Sequence, residues 1–205
     1  MDLIFKYFPY ISDKTVQLLS SLYNIYQEWN KKINLISRKD FVYFNERHVL
    51  HSLSIAYIFK FEPDTLILDV GTGGGFPGIP LAIFFPNVNF YLVDSITKKC
   101  NVVKAVVNEL NLTNVKVVNK RVEEVNEKFD FIVSRAVAPM QTLWKLVNKN
   151  ISPSYRNNVP NGLICLKGGD LHYEVTSIGR SYQIYELCDF FKEDFFVSKK
   201  LVHVW

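Results

Sequence analysis

Apolar positions along the chain follow two different periods. Val16, Leu19, Leu22, Tyr23, Tyr26 and Trp29 recur at helical spacing after a capping Ser12 or Asp13, which predicts an amphipathic helix over 13–29. A polar, basic joint runs from Asn30 to Asp40, and a second helix over about 41–60 carries Glu46-Arg-His-Val-Leu-His-Ser52. Beyond it, short continuous apolar runs alternate with helical periods. Strands are predicted at 66–70, 90–94, 115–118, 129–134 and 162–167, with helices at 78–85, 97–111 and 140–149. This alternation predicts an α/β fold: a doubly wound, mostly parallel sheet flanked by helices, with ligands at the carboxyl ends of its strands. Asn148–Asn161 reads as a polar loop, and the aromatic, β-branched tail from Tyr182 to Trp205 as a final hairpin. The division expected is a helical extension over 1–60, packed on a core domain over 61–205.

The most informative stretch is Leu66-Ile-Leu-Asp-Val-Gly-Thr-Gly-Gly-Gly-Phe-Pro-Gly78. Gly71, Gly73 and Gly75 leave a loop stripped of side chains between strand and helix, so a ligand can lie on the backbone. The next apolar run, Phe90 to Val93, ends in Asp94, 94 − 71 = 23 positions beyond Gly71. That is close to the roughly 20 expected between a glycine loop and an acid that grips a ribose. Together they indicate a nucleoside cofactor. Gly73, Gly75 and Gly78 fit the dinucleotide fingerprint, while Asp69, Gly71, Gly73 and Gly75 resemble motif I of S-adenosylmethionine-dependent methyltransferases. Asp69 favours the second, because a carboxylate at the strand end repels a pyrophosphate but can sit beside an ammonium and a sulfonium. Pro77 and Pro80 also remove backbone donors from the first helical turn, which weakens any anion site there.

Composition narrows the class further. With 205 residues, 48% of them hydrophobic, the chain can bury a sizeable core. No apolar run approaches membrane-spanning length, and Met1 to Lys6 lacks the layout of a signal peptide. Cys100, Cys165 and Cys188 are odd in number and far apart, which suits reduced thiols in a cytoplasm. A net charge of +4 permits a polyanionic partner without requiring one. His48 and His51 stand three residues apart on one helix, but with no cysteine or carboxylate at useful spacing they read as structural or RNA-contacting, not as metal ligands.

Seven motifs then occur in order: W-N-x-x-x-N-L-I-S from Trp29, E-R-H-x-x-H-S from Glu46, D-V-G-T-G-x-G-F-P-G-I-P-L from Asp69, V-D-S-x-x-K-K from Val93, R-V-E-E from Arg121, S-R-A-V-A from Ser134 and L-K-G-G from Leu166. Over residues 15–204 the chain resembles the bacterial family, also called glucose-inhibited division protein B, that methylates N7 of a guanine in the decoding-region loop of small-subunit (16S) ribosomal RNA. The loop before Leu163 looks long, and the chain ends at Trp205 where relatives often carry a basic end.

The resemblance implies a Rossmann-like class I methyltransferase fold, S-adenosylmethionine as cofactor, and ribosomal RNA or the assembling small subunit as partner. It assigns cofactor contacts to Gly71 and Phe76, the ribose to Asp94, the adenine to Val122 and Glu123, and the far side of the pocket to Arg135; Gly73 and Gly75 of the same loop are expected at the cofactor too, and Phe76 offers an apolar lid for the methionine or adenine. Read from the residues alone, Glu123 is a solvated acid at a helix start. Arg135 emerges at a strand end, either ion-paired with Asp69 or Asp94 or orienting cofactor and guanine. No general base is expected, because N7 of guanine is a free in-plane lone pair. The enzyme is expected to be a cytoplasmic monomer without metal or membrane attachment. Lys31, Lys32, Arg38, Lys39 and Arg47, with Lys98, Lys99, Lys120, Arg121, Lys199 and Lys200, suggest a basic rim. A small-molecule methyltransferase, an NAD-linked oxidoreductase and a noncatalytic RNA-binding module are the competing readings.

Overall fold

A computed structural model describes residues 2–135 and 138–205. Helix α1 (Asp2–Tyr7) precedes α2 (Asp13–Lys32), which the Ser12 side chain caps by accepting from the Thr15 N–H. A short α3 (Arg38–Phe41) leads to a π-helical segment, Asn45–Leu50, and then to α4 (His51–Ile58). The helix expected over 41–60 runs without interruption over 44–58, with the π-helical stretch inside it. Its middle turns are wide, and that widening lies at the residues bearing Arg47 and His48, as π-helical turns commonly do near functional sites.

The alternating part follows the expected order: β1 (Leu66–Val70), α5 (Gly78–Phe84), β2 (Asn89–Asp94), α6 (Thr97–Glu109), β3 (Val115–Asn119), β4 (Phe131–Arg135), α7 (Met140–Val147) and β5 (Gly162–Gly168), after which comes a short helix that was not expected, α8 (His172–Thr176). A hairpin of β6 (Tyr182–Glu186) and β7 (Lys199–Val204) completes one seven-stranded sheet in the order β3-β2-β1-β4-β5-β7-β6. β1 to β5 pair in parallel, and β7 inserts antiparallel between β5 and β6. The expected hairpin is thus part of the main sheet. The strand order reverses between β1 and β4, which opens a crevice at their carboxyl ends.

Alternation along β1 feeds both faces of the sheet. Ile67 joins a core with Phe90, Phe131 and Ile164 under α2, α4, α5 and α6, while Leu68 joins Ile132, Leu163 and Val202 under α7 and α8. Burial on both faces is why these strands read as continuous apolar runs. α2 sinks Leu19, Leu22, Ile25 and Tyr26 into the first core. Each such side chain contributes on the order of 1.5–3 kcal/mol by leaving water. The first dozen residues, outside the resemblance, are also tied down: Ile4 is fully buried, and Lys6 and Tyr7 both bond Glu193. Among the described residues no helix is long and apolar enough to cross a membrane, and no cluster of metal-ligating side chains occurs.

Candidate active site

The glycine loop sits at the reversal point. Gly71, Gly73 and Gly75 have φ of 65°, 57° and 95°, a left-handed conformation that glycine adopts without strain. The N–H groups of Gly71 and Thr72 donate to the Val93 carbonyl at 2.9 and 3.0 Å, so the loop is stitched to the end of β2. There Asp94 closes the geometry. Its Oδ2 accepts from Gly73 N–H at 2.9 Å and its Oδ1 from Ile96 N–H at 2.8 Å. Each oxygen keeps a lone pair for a further donor.

These elements frame a cleft of about 530 Å³ lined by Gly71, Gly73, Phe76, Asp94, Val122, Glu123 and Arg135. Seven of the eight residues expected at the cofactor therefore converge on one cavity. Gly75 lies behind the loop: a Cβ there would stand 2.7 Å from Ile79 and 2.9 Å from the Tyr26 hydroxyl, so glycine serves close packing. Phe76 is buried in an aromatic cluster, its ring tilted against Tyr26 at 5.0 Å and edge-on to Phe44 at 5.8 Å. It lines the cleft from within this cluster. Glu123 is exposed, and its carbonyl accepts from Lys149 at 2.7 Å, which fixes the short turn Val122–Glu124 at the cleft edge.

Asp69 does not face the cleft. It is fully buried beneath the loop, accepting from the Thr72 hydroxyl at 2.7 Å and the Gly78 N–H at 2.9 Å, and burial raises its carboxyl to about pH 6. The sequence expectation placed this carboxylate beside a bound ammonium and sulfonium; in the structure its side chain does not line the cleft. With Gly78 N–H spent on Asp69, Ile79 N–H on the Gly75 carbonyl and no donor on Pro77 or Pro80, the start of α5 has no N–H left for a pyrophosphate. The residues fit a nucleoside without phosphates and disfavour a dinucleotide.

Arg135 forms no ion pair with Asp69 or Asp94 among the described residues. It donates to the Arg47 carbonyl and meets His48 Nδ1, each at 3.2 Å, with its guanidinium 5.2 Å from the Phe76 ring centre. Burial lowers its pKa to about 10, which leaves it cationic at neutral pH, and burial together with this neighbouring charge lowers His48 to about 4. Of the motif Ser134–Ala138, Ala136 and Val137 lie outside the described residues. Lys167 of the L-K-G-G motif anchors the far end of that motif, bonding the Ala138 carbonyl at 2.7 Å and Glu174 at 2.6 Å.

Sequence reasoning missed Leu35, Leu146 and Ile96 in the cleft wall. Leu35 is held there by Asn30, whose side chain bonds Leu35, Ile36 N–H and the Ile36 carbonyl across the joint. The motif W-N-x-x-x-N-L-I-S carried that signal, since its first asparagine is the clamp.

The fold is that of class I S-adenosylmethionine-dependent methyltransferases. A SAM-dependent methyltransferase from Aquifex aeolicus superposes with a TM-score of 0.59 at 16% identity, covering 82% of this chain and 98% of that one. Fibrillarin from Aeropyrum pernix, crystallised with natively bound S-adenosyl-L-methionine, superposes at 0.57 and 11% identity over 78% of this chain and 75% of its own. The chain belongs to the GidB family, rRNA small subunit methyltransferase G, whose model matches residues 15–192. The ribosomal RNA small subunit methyltransferase G of Phocaeicola vulgatus is 52% identical over 204 residues, covering 100% of this chain and 98% of that protein.

Proposed function

We propose that the protein transfers the methyl group of S-adenosylmethionine to N7 of a guanine in small-subunit (16S) ribosomal RNA. The observation that carries this reading is the cleft itself: a glycine loop and an acid-ended strand beside a helix start with no spare N–H. Family membership supplies the substrate class. S-adenosylmethionine, when bound, supplies an electrophilic methyl on a cationic sulfur. Asp94 holds the ribose hydroxyls, backbone at Val122 and Glu123 meets the adenine edge, and Gly71 and Gly73 allow close approach to the loop. Phe76 provides apolar lining, and Arg135 sets the far wall.

N7 needs no proton removed, so positioning and exclusion of water supply the rate, and no residue acts as general base. The chemistry requires neither a metal nor a second subunit, and on this reading the enzyme works in the cytoplasm as a monomer. Residues 1–60 act as the RNA-facing extension and 61–205 as the transfer domain. Support for an RNA face comes from a groove of about 700 Å³ beside Lys31, Lys32 and Arg38, and from Lys99, Lys120 and Arg121 on the cleft rim. Mapping N7-methylguanine in small-subunit RNA from cells with and without the gene tests the whole reading. One such guanine should vanish on deletion and return on complementation, and an unchanged map refutes it.

A further inference from the structure

Beside the cofactor cleft, and sharing Arg135 with it, lies a second cavity of about 370 Å³ that the proposed cofactor contacts leave free. That volume is at the low end of the roughly 300–1,000 Å³ typical of small-ligand sites. Its lining combines flat side-chain surfaces with the Asp40–Arg47 ion pair, Lys167 and the cations Arg135 and Lys199. The Arg47 guanidinium lies 5.7 Å from the Phe195 ring centre, and the His51 ring meets Phe195 edge-on at 5.2 Å. Such planes are what an unstacked base packs against.

Asp40 contributes a carboxylate to this lining, held 2.6 Å from Arg47 through Oδ1. A carboxylate is the acceptor that guanine's N1–H and N2 amino group call for, and adenine presents no matching pair of donors. Two buried imidazole atoms, His48 Nε2 and His51 Nε2, have no partner among the described residues. Arg135 donates to His48 Nδ1, so the His48 proton sits on Nε2. Buried polar atoms are rarely left unpaired unless something else fills the role. Both histidines are held neutral, chiefly by burial and next by Arg135. Lys167 is neutralised by Glu174 at 2.6 Å. Arg135 and Lys199 remain as cations in the lining, with Lys199 Nζ 4.9 Å from the Phe195 ring centre, and Asp40 is the carboxylate that faces them.

We infer that this second cavity receives the acceptor guanine, flipped out of the RNA, with Asp40 reading N1–H and the N2 amino group and N7 turned past Arg135 towards the cofactor cleft. The inference rests on the proposed guanine-N7 chemistry. In that transfer the base gains the methyl carbon at N7 and takes up the positive charge, the sulfur keeps the electron pair of the broken S–C bond, and no proton moves.

Two measurements test it. The first uses small ribosomal subunits from cells lacking the enzyme, with radiolabelled S-adenosylmethionine. Asp40→Asn should lower kcat roughly ten- to a hundredfold, with KM for subunits and affinity for S-adenosylhomocysteine close to wild type. The second records imidazole NMR signals of the protein saturated with S-adenosylhomocysteine. Guanosine 5′-monophosphate should move His48 and His51, adenosine 5′-monophosphate should move neither, and Asp40→Asn should erase the difference. A wild-type kcat in Asp40→Asn, or imidazoles that ignore the guanine nucleotide, overturns the pocket. If wild-type enzyme leaves the subunits unmethylated while the guanine nucleotide still moves both imidazoles, the methyl-transfer reading falls and the base pocket stands.

Discussion

Two carboxylates set the character of the site, and they do so from opposite sides of the glycine loop. Asp94 lines the cleft and accepts from the Gly73 and Ile96 N–H groups, so the carboxylate that fixes the loop also borders the cleft. Asp94→Asn keeps the shape and weakens charge-assisted bonds worth about 1.5–3 kcal/mol each. Titration calorimetry should show S-adenosylhomocysteine binding weakened by one to two orders of magnitude and small-subunit RNA binding unchanged; unaltered cofactor affinity would mean the ribose lies elsewhere. Asp69, buried under the loop, makes a pH prediction. Its carboxyl is raised from 3.8 to about 6, chiefly by burial, so the folded chain holds this proton more tightly than the unfolded one. The stability it contributes is complete below about pH 3.8 and is lost as pH rises through about 6, on the order of 3 kcal/mol in all. Histidines such as His203, lowered to about 4 by burial, act in the opposite sense, losing stability as pH falls from about 6.5 towards 4. The comparison must therefore be against Asp69→Asn, in which those groups cancel. Urea denaturation of the ligand-free proteins should show the variant gaining on wild type between pH 4 and 7.5; a pH-independent difference would show that Asp69 is ionised throughout.

At the scale of elements, the helical extension does more than decorate the sheet. The Tyr26 hydroxyl of α2 donates to the Gly74 carbonyl at 2.5 Å, so the extension grips the loop from behind. Tyr26→Phe should cost about 1 kcal/mol in denaturant midpoint analysis and weaken S-adenosylhomocysteine severalfold, because the loop is no longer pre-set. Equal affinity in the variant would show that the loop holds its shape unaided. The joint after α2 makes a separate prediction. Lys32→Ala with Arg38→Ala should flatten the slope of log RNA affinity against log salt by about 0.7–0.9 for each phosphate no longer neutralised, with cofactor affinity unchanged. A parental slope would move the RNA face to Lys99, Lys120 and Arg121.

For the molecule as a whole, cofactor choice appears as stability. A ligand that binds only the folded state at a hundred times its Kd adds about 2.7 kcal/mol, and for a domain of this size each kcal/mol raises Tm by about 2–4 °C. S-adenosylhomocysteine should therefore raise Tm by roughly 5–10 °C. NAD should give no comparable shift, since the start of α5 has no free N–H for its phosphates. A larger shift with NAD would overturn the assignment.

The order of strands and helices from Leu66 through β5 was legible in the sequence, because strands buried on both faces must be short continuous apolar runs, while the short α8 was not. The sequence also located the cleft, because left-handed backbone at Gly71 and Gly73 demands glycine and the acid at Asp94 ends its strand. Tertiary structure decided what depends on side-chain direction. Asp69 lies one residue before the end of β1 and Asp94 at the end of β2, yet Asp69 is fully buried beneath the loop and Asp94 lines the cleft. Arg135 turns to His48 and the Arg47 carbonyl instead of either acid, because the wide helical turn at Asn45–Leu50 brings those groups beside it. Leu35 reaches the cleft only because Asn30 folds the joint back. Periodicity reports which face of an element is buried; which atoms meet across two elements is settled only when the elements pack.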